Sequence, residues 1–503
     1  MNTPNALLRR LPLAAALALA CQAASAADIH PDLLAAARRD GRADVLIVLK
    51  DQEKPALAPL SPNANYKARR RALVDALRDR AEYQQADLRA WLEARGIEYR
   101  PFWIVNTIHA SLTAAELAEL SMRAEIESLE LNHAIELRRP EPEADSLAPE
   151  AVEAIEWGLT KINAPQVWAE GITGQGVVIA GQDTGIRWDH NALKSHYRGW
   201  NGTTADHNYN WHDAIHVTGS ICGANSPVPC DDDDHGTHTI GTMVGDDGGN
   251  NQIGVAPGAK FIGCRNMNNG WGTPATYIEC MEWLLAPTDL SGQNPNPDLA
   301  PDIVSNSWGC PPEEGCTTPN ILQNAVANLV DAGIFFAAAA GNDGSSCSTI
   351  YDPPAIYDES FVVGATNNSD AVVGFSSRGP VAGAGRVRPD IVAPGSSIRS
   401  ALRNGGYSNM SGTSMATPHV AGAAALVMSA NPSLKGQPEL VAEVLRATAK
   451  RTGITDPSNS GCGGKTINMW PNYQAGYGRL DVYAAVQAVR IESADFADGF
   501  EDQ

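Results

Sequence analysis

The sequence predicts an α/β protein in which a doubly wound, mostly parallel sheet is flanked by helices and preceded by a small α+β domain. From Val177 onward, short apolar strand-like runs alternate with longer helix-like runs, which is typical of a parallel sheet with helices on both faces. Residues 1–150 are also denser in charge, with 19 Lys and Arg against 22 Asp and Glu, whereas residues 151–503 carry 18 against 36. The two parts are therefore expected to be two different kinds of domain.

Composition limits the classes of protein that this chain can represent. A length of 503 residues with 43% hydrophobic residues indicates a globular protein of at least two domains. The net charge of −21 argues against nucleic-acid binding, which needs a basic surface, and against adhesion to an anionic membrane. We therefore expect no nucleic acid and, after export, no membrane among its partners.

Residues 1–26 have the pattern of a secretory signal peptide. Arg9 and Arg10 precede an apolar run over residues 11–20, and the small residues 24–26 resemble a signal peptidase site. A membrane anchor is the alternative, but this apolar run is too short to cross about 30 Å of hydrocarbon. We therefore expect a secreted protein, extracellular or in transit through the periplasm.

Residues 27–140 are expected to form the small α+β domain, and the Pro- and acid-rich residues 141–156 an exposed processing linker. Within the domain, the apolar patterns predict strand 43–50, helix 66–95, strand 99–112, helix 114–121 and strand 126–131.

Residues 157–490 are expected to form the larger domain, followed by an acidic tail over residues 491–503 that lacks a core pattern. The main strand-like segments are 177–181, 260–264, 303–305, 334–340 and 361–365. The helix-like segments are 235–244, 275–285, 321–332 and 415–430. In such a sheet, functional groups gather beyond the carboxyl ends of the strands.

The cysteines are concentrated in the larger domain. Of nine, Cys21 would leave with the signal peptide, and the other eight lie between residues 222 and 462. An even number in an exported domain predicts up to four disulfides. Zinc is the alternative, but no C-x-x-C pair exists. Short intervening segments favour two pairs and leave the others open: Cys222 with Cys230, and Cys310 with Cys316.

Two residues have the chemistry of an acid–base pair. Asp183 ends an apolar strand, where an aspartate is more often a cap or turn former. His235 opens a helix, where an imidazole beside a strand-end carboxylate can act as a general base. The alternative is that His235 and His238 bind a metal or only fill space, but no Glu stands between them as in metalloprotease helices.

Two further residues have the chemistry of a nucleophile and an oxyanion donor. Ser414 begins a long apolar helix, where a serine is usually a cap. Here Gly412, Ala416 and Gly422 leave space around its hydroxyl for a substrate backbone. Asn342 follows a buried strand, and together with the Ser414 N–H its amide would contribute roughly 10²–10³ in rate as an oxyanion donor.

Asp183, His235 and Ser414 occur in the chain order of the subtilisin triad. The segments around them and around Asn342, QDTG, HGTHTIGTMVG, AAAAGND and GTSMATPHVAG, resemble the active-site motifs of the subtilases. SNSWG, IGVAPGAK and FSSRGP match as well, so the resemblance covers residues 157–490 and is strongest to the bacillopeptidase F group. Residues 43–132 are more weakly similar to the inhibitory propeptides of these enzymes.

The resemblance implies a subtilisin-like fold and four residue roles: Ser414 as nucleophile, His235 as general base and acid, Asp183 as the group that orients the imidazole, and Asn342 as oxyanion donor. His238 and His419 gain no catalytic role from it. The chemistry that it implies needs no metal or organic cofactor.

The resemblance also implies where a substrate binds: at Ser307, Trp308 and Gly309, and at Ala340 and Gly341. Trp308 departs from the commoner small aliphatic residue, which leaves the width of the pocket open. Tyr351 to Pro354 align with the pocket floor, and we hypothesise that Asp352, helped by Glu313 or Glu314, favours Arg or Lys before the cut. A solvated loop acid is the alternative.

Metal sites remain unknown from the sequence. The segment 245–253 is shorter than the loop that holds a tight calcium ion in some subtilases. Asp231–Asp234 and Asp246–Asp247 lack the spacing of an EF-hand loop, although weak calcium binding by them stays open. We therefore leave a structural calcium ion open and expect none in catalysis.

We expect a monomeric, secreted serine endopeptidase that acts on proteins and peptides and is inhibited by its own propeptide before maturation. The precursor would cut itself between Asn132 and Trp157, and Arg138–Arg139 is a natural site if the pocket selects basic residues. A catalytically silent subtilase-like binding protein is the main alternative, which the intact motifs disfavour. A lipase or esterase would carry its serine in G-x-S-x-G and in the order Ser, Asp, His.

Overall fold

The computed structural model describes residues 27–52, 65–139, 155–311, 316, 320–383 and 385–491. The predicted signal peptide, linker residues 141–154, Glu313, Glu314 and the tail from residue 492 lie outside these ranges. Within the described ranges, no helix combines the length and apolar character needed to cross a membrane.

The N-terminal unit is one five-stranded sheet with three helices and a short terminal strand. Its sheet has the order β1-β5-β2-β4-β3, in which β1 is parallel to β5 and the other neighbours are antiparallel. The elements are β1 (Asp28–Ile29), α1 (Pro31–Asp40), β2 (Ala43–Leu49), α2 (Tyr66–Glu93), β3 (Tyr99–Phe102), β4 (Thr107–Leu112), α3 (Ala114–Ser121), β5 (Ile126–Leu131) and β6 (Ile135–Glu136).

The prediction of one strand over residues 99–112 is wrong, because the chain turns back between β3 and β4. The turn exposes backbone N–H groups of Trp103 and Ile104, and both donate to the Glu282 carboxylate of the larger unit, at 2.5 and 2.9 Å. The strand therefore ends where the chain contacts a residue nearly 180 positions away in the sequence. The local apolar pattern carries no information about such a contact.

The larger unit is built on a parallel sheet. Its first half comprises α4 (Trp157–Lys161), α5 (Ala164–Ala169), β7 (Val178–Asp183), β8 (Trp211–Asp213), α6 (His235–Val244), β9 (Lys260–Arg265), β10 (Met267–Asn268), β11 (Trp271–Gly272) and α7 (Pro274–Leu285). Its second half comprises β12 (Ile303–Asn306), α8 (Gln323–Asp331), β13 (Phe335–Ala339), β14 (Phe361–Thr366), β15 (Ile391–Pro394), β16 (Ile398–Ala401), β17 (Tyr407–Met410), α9 (Thr413–Ala430), α10 (Pro438–Ala447) and α11 (Val482–Ile491).

The seven-stranded sheet has the order β15-β14-β13-β12-β7-β9-β8, and all its neighbours are parallel. From β7 the chain passes to the edge strand β8 and returns to β9 between them, and it then crosses to the other side of β7 and adds β12 to β15 in order. The order of the strands therefore reverses between β7 and β12, where α/β sheets place their sites. This architecture confirms the predicted α/β class.

The two units meet across α2, α7 and α8. Arg70 of α2 is buried, and its guanidinium donates to the carbonyls of Ala332 (3.0 Å) and Ala300 (3.3 Å). Asn328 of α8 in turn donates to the carbonyl of Ile104 at 2.7 Å. These contacts seat the N-terminal unit on the larger one with its last strand, β6, directed into a cleft.

Four disulfides lie within the larger unit. Cys222 bonds to Cys230 and Cys310 to Cys316, as the short segments between them predict. The pairs that the sequence leaves open are Cys264 with Cys280 and Cys347 with Cys462.

Replacing Cys347 and Cys462 by Ser should destabilise the larger unit by about 2–5 kcal/mol, because this bond closes a loop of 115 residues. The same change at Cys222 and Cys230, which are 8 residues apart, should cost roughly 2 kcal/mol less. Urea unfolding of both double variants, each in a Ser414→Ala background, measures the difference. Equal losses would contradict the loop-length argument.

Candidate active site

Asp183 and His235, the pair that the sequence predicts, lie side by side at the end of β7. Nδ1 of His235 lies 2.8 Å from Oδ1 of Asp183, and both side chains are almost fully buried. The Thr184 N–H donates to the same oxygen at 2.7 Å. Helix α6 approaches this loop so closely that a Cβ on Gly236 would meet the Gly185 carbonyl oxygen at 2.1 Å. The glycine after His235 therefore permits the short Asp–His distance.

The carboxylate of Asp231 organises the loop that carries His235. It accepts the hydroxyls of Thr184 (2.9 Å) and Thr237 (2.5 Å) and the N–H of Thr237 at 3.0 Å. It also accepts the N–H groups of residues 233–234, at 3.0 and 3.1 Å. One buried acid thus joins the end of β7 to the first turn of α6, and this fixes the direction of the imidazole.

Ser414 lies in the first turn of α9 and lines the cleft into which β6 is directed. Gly412 before it has φ +151°, a left-handed conformation that favours glycine. The Ser414 hydroxyl donates to the carbonyl of Ser307 at 2.8 Å, and the Ser307 hydroxyl donates to the carbonyl of Ser414 at 3.0 Å. In this structure the Ser414 hydroxyl is therefore bonded to Ser307 rather than to the imidazole of His235.

The amide of Asn342 points into the cleft from the end of β13. Its Oδ1 accepts the N–H of Thr413 at 2.9 Å and the Thr413 hydroxyl at 3.0 Å. These two contacts leave the Nδ2 group directed away from α9, and it donates to the carbonyl of Arg138 at 3.2 Å. The amide is therefore oriented as a donor to a carbonyl oxygen beside Ser414.

The cleft beside Ser414 is lined by residues of the larger unit and by residues 136–138 of the N-terminal unit. Ala340 is buried at the strand end, where its N–H donates to the Val363 carbonyl, and its neighbour Ala339 lines the cleft. Five of the six residues predicted to bind substrate line it: Ser307, Trp308, Gly309, Gly341 and Asp352.

The bulky Trp308 is accommodated in the protein interior. It is 2% exposed, its ring stacks on Tyr277 with centroids 3.8 Å apart, and its Nε1 donates to the Gln182 carbonyl at 2.9 Å. Trp308 therefore forms a fixed wall of the cleft.

The last strand of the N-terminal unit occupies the cleft as an extended peptide. β6 pairs antiparallel with β11, with Ile135 opposite Gly272 and Glu136 opposite Trp271. The Leu137 N–H continues the ladder by donating to the Gly270 carbonyl at 2.8 Å. The segment 270–272, which the sequence analysis does not identify, is therefore a peptide-binding strand of this cleft.

The side chain of Arg138 enters an acidic pocket. Its Nη1 donates to Oδ1 of Asp343 at 2.7 Å and to the Tyr351 hydroxyl at 3.0 Å, and Asp352 lines the same cleft. Burial raises the pKa of Tyr351 to about 12, so this hydroxyl stays neutral. The pocket accordingly contains Asp343, an acid that the sequence analysis overlooks although it directly follows Asn342.

Two other histidines near the site have structural contacts. His238 is fully buried, with its Nε2 bonded to the carbonyls of Ile398 (3.0 Å) and Ser408 (3.2 Å), and burial lowers its pKa to about 3. Nδ1 of His419 bonds to the Met415 carbonyl at 2.8 Å, and burial lowers the pKa of His419 to about 4. Both imidazoles are therefore neutral at ordinary pH.

The acidic segments Asp231–Asp234 and Asp246–Asp247 were the candidate calcium sites of the sequence. Among the residues that the structure describes, no group of three or more His, Cys, Asp or Glu side chains is arranged to hold a metal ion. Asp232 is instead paired with the buried guanidinium of Arg265, and the Asp247 carboxylate accepts N–H groups of its own loop. We therefore assign no calcium ion to either of these two segments.

The site holds groups of the kind that acyl transfer uses. It combines a serine hydroxyl in a tight turn, an imidazole held by a carboxylate, and an amide donor beside a peptide carbonyl. Each group comes from a different segment, and all lie beyond the carboxyl ends of β7 and β13 or at the start of α6 and α9.

Known proteins resemble both units of this chain. Residues 174–467 match the subtilase family. Bacillopeptidase F of Bacillus subtilis (strain 168) is 35% identical over 443 residues, which cover 84% of this chain and 29% of that protein. Subtilisin E of the same strain is 31% identical over 349 residues, 68% of this chain and 75% of that protein. A subtilisin of Bacillus pumilus is 32% identical over 289 residues, 56% of this chain and 87% of that protein.

Replacing Asn342 by Ala should lower kcat for peptide hydrolysis by about 10²–10³ and leave KM within a few-fold, since an oxyanion donor acts in the transition state. Asn404→Ala, in an exposed turn, is a matched control that should leave both constants unchanged. Steady-state kinetics on titrated enzyme measures both. An effect confined to KM would contradict the oxyanion role.

Proposed function

The chain belongs to the subtilase family, and we propose that it is a secreted serine endopeptidase made as a precursor that processes itself. One observation carries the proposal: a peptide carbonyl, that of Arg138, lies against the Asn342 amide at 3.2 Å in the cleft of Ser414. Export is supported by the pattern of residues 1–26 and by eight paired cysteines. We extend the proposal to a monomer whose substrates are proteins and peptides.

In the proposed reaction, the Ser414 hydroxyl attacks the carbonyl carbon of the bound peptide while His235 removes its proton. Asp183 accepts the Nδ1–H of His235, which holds the Nε2 lone pair towards the serine and stabilises the imidazolium. The negative charge on the carbonyl oxygen is met by Asn342 and by the backbone N–H of Ser414.

The second half of the proposed reaction releases the two products in turn. His235 returns the proton to the departing amine, which leaves an acyl-enzyme on Ser414. Water, deprotonated by His235, then hydrolyses the ester and restores the serine. No step requires a metal or organic cofactor.

We propose the N-terminal unit as an inhibitory propeptide and the bond between Arg138 and Arg139 as its processing site. After cleavage, Arg138 would carry the new carboxylate and could stay in the pocket, held by the β6–β11 ladder. The contacts of α2 and of the turn after β3 with the larger unit support tight inhibition, because they add to the contacts that β6 makes in the cleft.

The acidic pocket supports a preference for arginine before the cut. The guanidinium of Arg138 donates to Asp343 and to Tyr351, and Asp352 lines the same cleft. The hypothesis that Asp352 favours Arg or Lys before the cut stays part of this proposal, and Asp343 joins it because its carboxylate accepts a hydrogen bond from the Arg138 guanidinium. Glu313 and Glu314 lie outside the described residues and are not part of this proposal.

Ser414→Ala should leave a full-length precursor, because the nucleophile for self-processing is absent. Wild-type protein should instead give two fragments, with Arg138 at the end of one and Arg139 at the start of the other. Intact-mass analysis and N-terminal sequencing of purified protein measure this.

A fluorophosphonate probe provides the control for this experiment. The probe should label the wild-type protein and fail to label Ser414→Ala. If the chain were a catalytically silent binding protein, the probe would label neither the wild type nor the variant. Maturation of purified Ser414→Ala at the same bond would overturn self-processing.

Asp343→Asn should lower kcat/KM for peptides with Arg before the cut by about 10- to 100-fold, because a charged hydrogen bond to the guanidinium is lost. Cleavage of a matched peptide with Leu at that position should be unchanged. Asp352→Ser should also lower kcat/KM for the Arg peptide. A library profile with no preference for Arg or Lys would refute the proposed pocket.

A further inference from the structure

Three side chains of the larger unit meet where β8 and α7 face the N-terminal unit. Glu279 of α7 lies against two imidazoles: its Oε1 is 2.8 Å from Nε2 of His212, and its Oε2 is 2.9 Å from Nε2 of His216. The Glu279 side chain is only 13% exposed. We call His212, His216 and Glu279 the His–Glu cluster. The proposed catalytic mechanism uses none of these residues.

The hydrogen bonds of His216 define which of its nitrogens faces the carboxylate with a lone pair. Its Nδ1 lies 2.5 Å from Oδ1 of Asn225, and an amide oxygen only accepts hydrogen bonds, so Nδ1 carries the proton of the neutral ring. The Nε2 lone pair then faces the carboxylate of Glu279. Two acceptors this close repel each other unless a cation or a proton lies between them.

In the precursor that cation is the guanidinium of Arg100, which belongs to β3 of the N-terminal unit. Its Nη1 contacts both Nε2 of His216 and Oε2 of Glu279. Among the described residues, no other Lys or Arg forms an ion pair with Glu279. When the N-terminal unit leaves after the proposed processing, the cluster therefore loses its cation and keeps a half-enclosed carboxylate beside two imidazoles.

The His–Glu cluster is held together by bonds within the larger unit. His212 lies opposite Cys264 in the β8–β9 ladder. Cys264 is bonded to Cys280, which directly follows Glu279. The ring of His212 also stacks on that of Trp283, with centroids 5.7 Å apart. A strand ladder, a disulfide and a stacked ring therefore keep the cluster in place without the N-terminal unit.

We propose that the His–Glu cluster of the mature enzyme binds a divalent transition-metal ion, with zinc as the best fit, and that Arg100 fills this site in the precursor. Imidazole nitrogen and carboxylate oxygen are common zinc ligands, and a zinc-bound histidine normally donates its other N–H to an oxygen, as His216 does to Asn225. The site goes beyond the proposed protease, whose reaction needs no metal. It rests on the proposed function only for the departure of the N-terminal unit.

The precursor itself does not present these side chains as metal ligands. A zinc ion holds its ligand atoms about 2.0 Å away, which places them roughly 3.3 Å from one another. The distances from Nε2 of His212 and His216 to the carboxylate are 2.8 to 3.1 Å, and the guanidinium of Arg100 lies among these atoms. Removal of Arg100 and a small outward movement of the three side chains would give the zinc geometry.

A metal ion can reach the cluster through a cavity between the two units. Arg100, His216 and Glu279 line this cavity. Because the metal ion and the guanidinium need the same position, zinc would bind the form that the N-terminal unit has left and would favour that form.

A proton is the competing occupant of the cluster. Protonation of His216 would also place a positive charge beside Glu279. However, His212 directs its Nε2 to the same carboxylate, and a metal ion binds several ligands at once whereas a proton joins two. We therefore favour the metal ion.

The first test is calorimetric titration of zinc into mature enzyme at neutral pH, with Ser414 blocked by a fluorophosphonate. It should show one site for each molecule. His216→Gln and Glu279→Gln should each lower the affinity by at least about tenfold, and Asn225→Ala by about tenfold, since even an outer partner of a ligand contributes this much. His207→Gln, which changes a histidine outside the cluster, is the matched control and should leave the affinity unchanged.

The second test does not depend on processing. The Ser414→Ala precursor should bind zinc at least about tenfold more weakly than the mature enzyme, because the Arg100 guanidinium fills the site. Arg100→Ala in the same precursor should raise the affinity to within a few-fold of the mature value. Arg95→Ala, which removes an arginine that pairs with Glu119 in the N-terminal unit, is the matched control and should not raise it.

Failure of both the mature enzyme and the Arg100→Ala precursor to bind zinc would overturn the proposed metal site in favour of the proton. Binding that is unchanged in His216→Gln and Glu279→Gln would place the metal elsewhere and would also overturn it. Failure of the wild type to process itself would contradict the proposed function instead, and the Arg100→Ala precursor would still decide whether the cluster binds zinc.

Discussion

The reversal of strand order between β7 and β12 is the constraint on which the candidate site depends. Where neighbouring parallel strands lead the chain away in opposite directions, their carboxyl ends border an open crevice. Asp183 ends β7, Ser307 follows β12, and α9 crosses beneath the sheet with Ser414 in its first turn. Groups that are more than 200 residues apart in sequence thus reach one cleft without a long loop.

Buried polar contacts then fix these groups to within hydrogen-bond distance. Asp231 joins β7 to α6, and Thr413 holds the Asn342 amide through two donors. Arg265 packs behind the aspartate loop, where it pairs with Asp213 and Asp232. A polar group in the interior costs free energy unless it is bonded, so these contacts restrict the loops to one arrangement.

Local pattern was sufficient for much of this structure. Helix α6 begins at His235 as predicted, and α9 begins within two residues of its predicted start, because apolar periodicity and small residues near the N-terminus are properties of the segment itself. The turn between β3 and β4, the two-residue strand β11 and the Asp343–Arg138 ion pair were not predicted. Each depends on a partner from a distant part of the chain, and a short edge strand has too few residues for a period to be visible.

The disulfide between Cys347 and Cys462 has a consequence for the timing of activity in the cell. The loop that supplies Asp343 and Tyr351 to the acidic pocket also contains Cys347. The disulfide therefore anchors the wall of this pocket to a segment more than 100 residues away in the sequence. In the reducing cytosol the thiols would stay unpaired and the wall would be held by weaker contacts alone. In the proposed enzyme, this wall of the pocket would therefore be fully held only in an oxidising compartment.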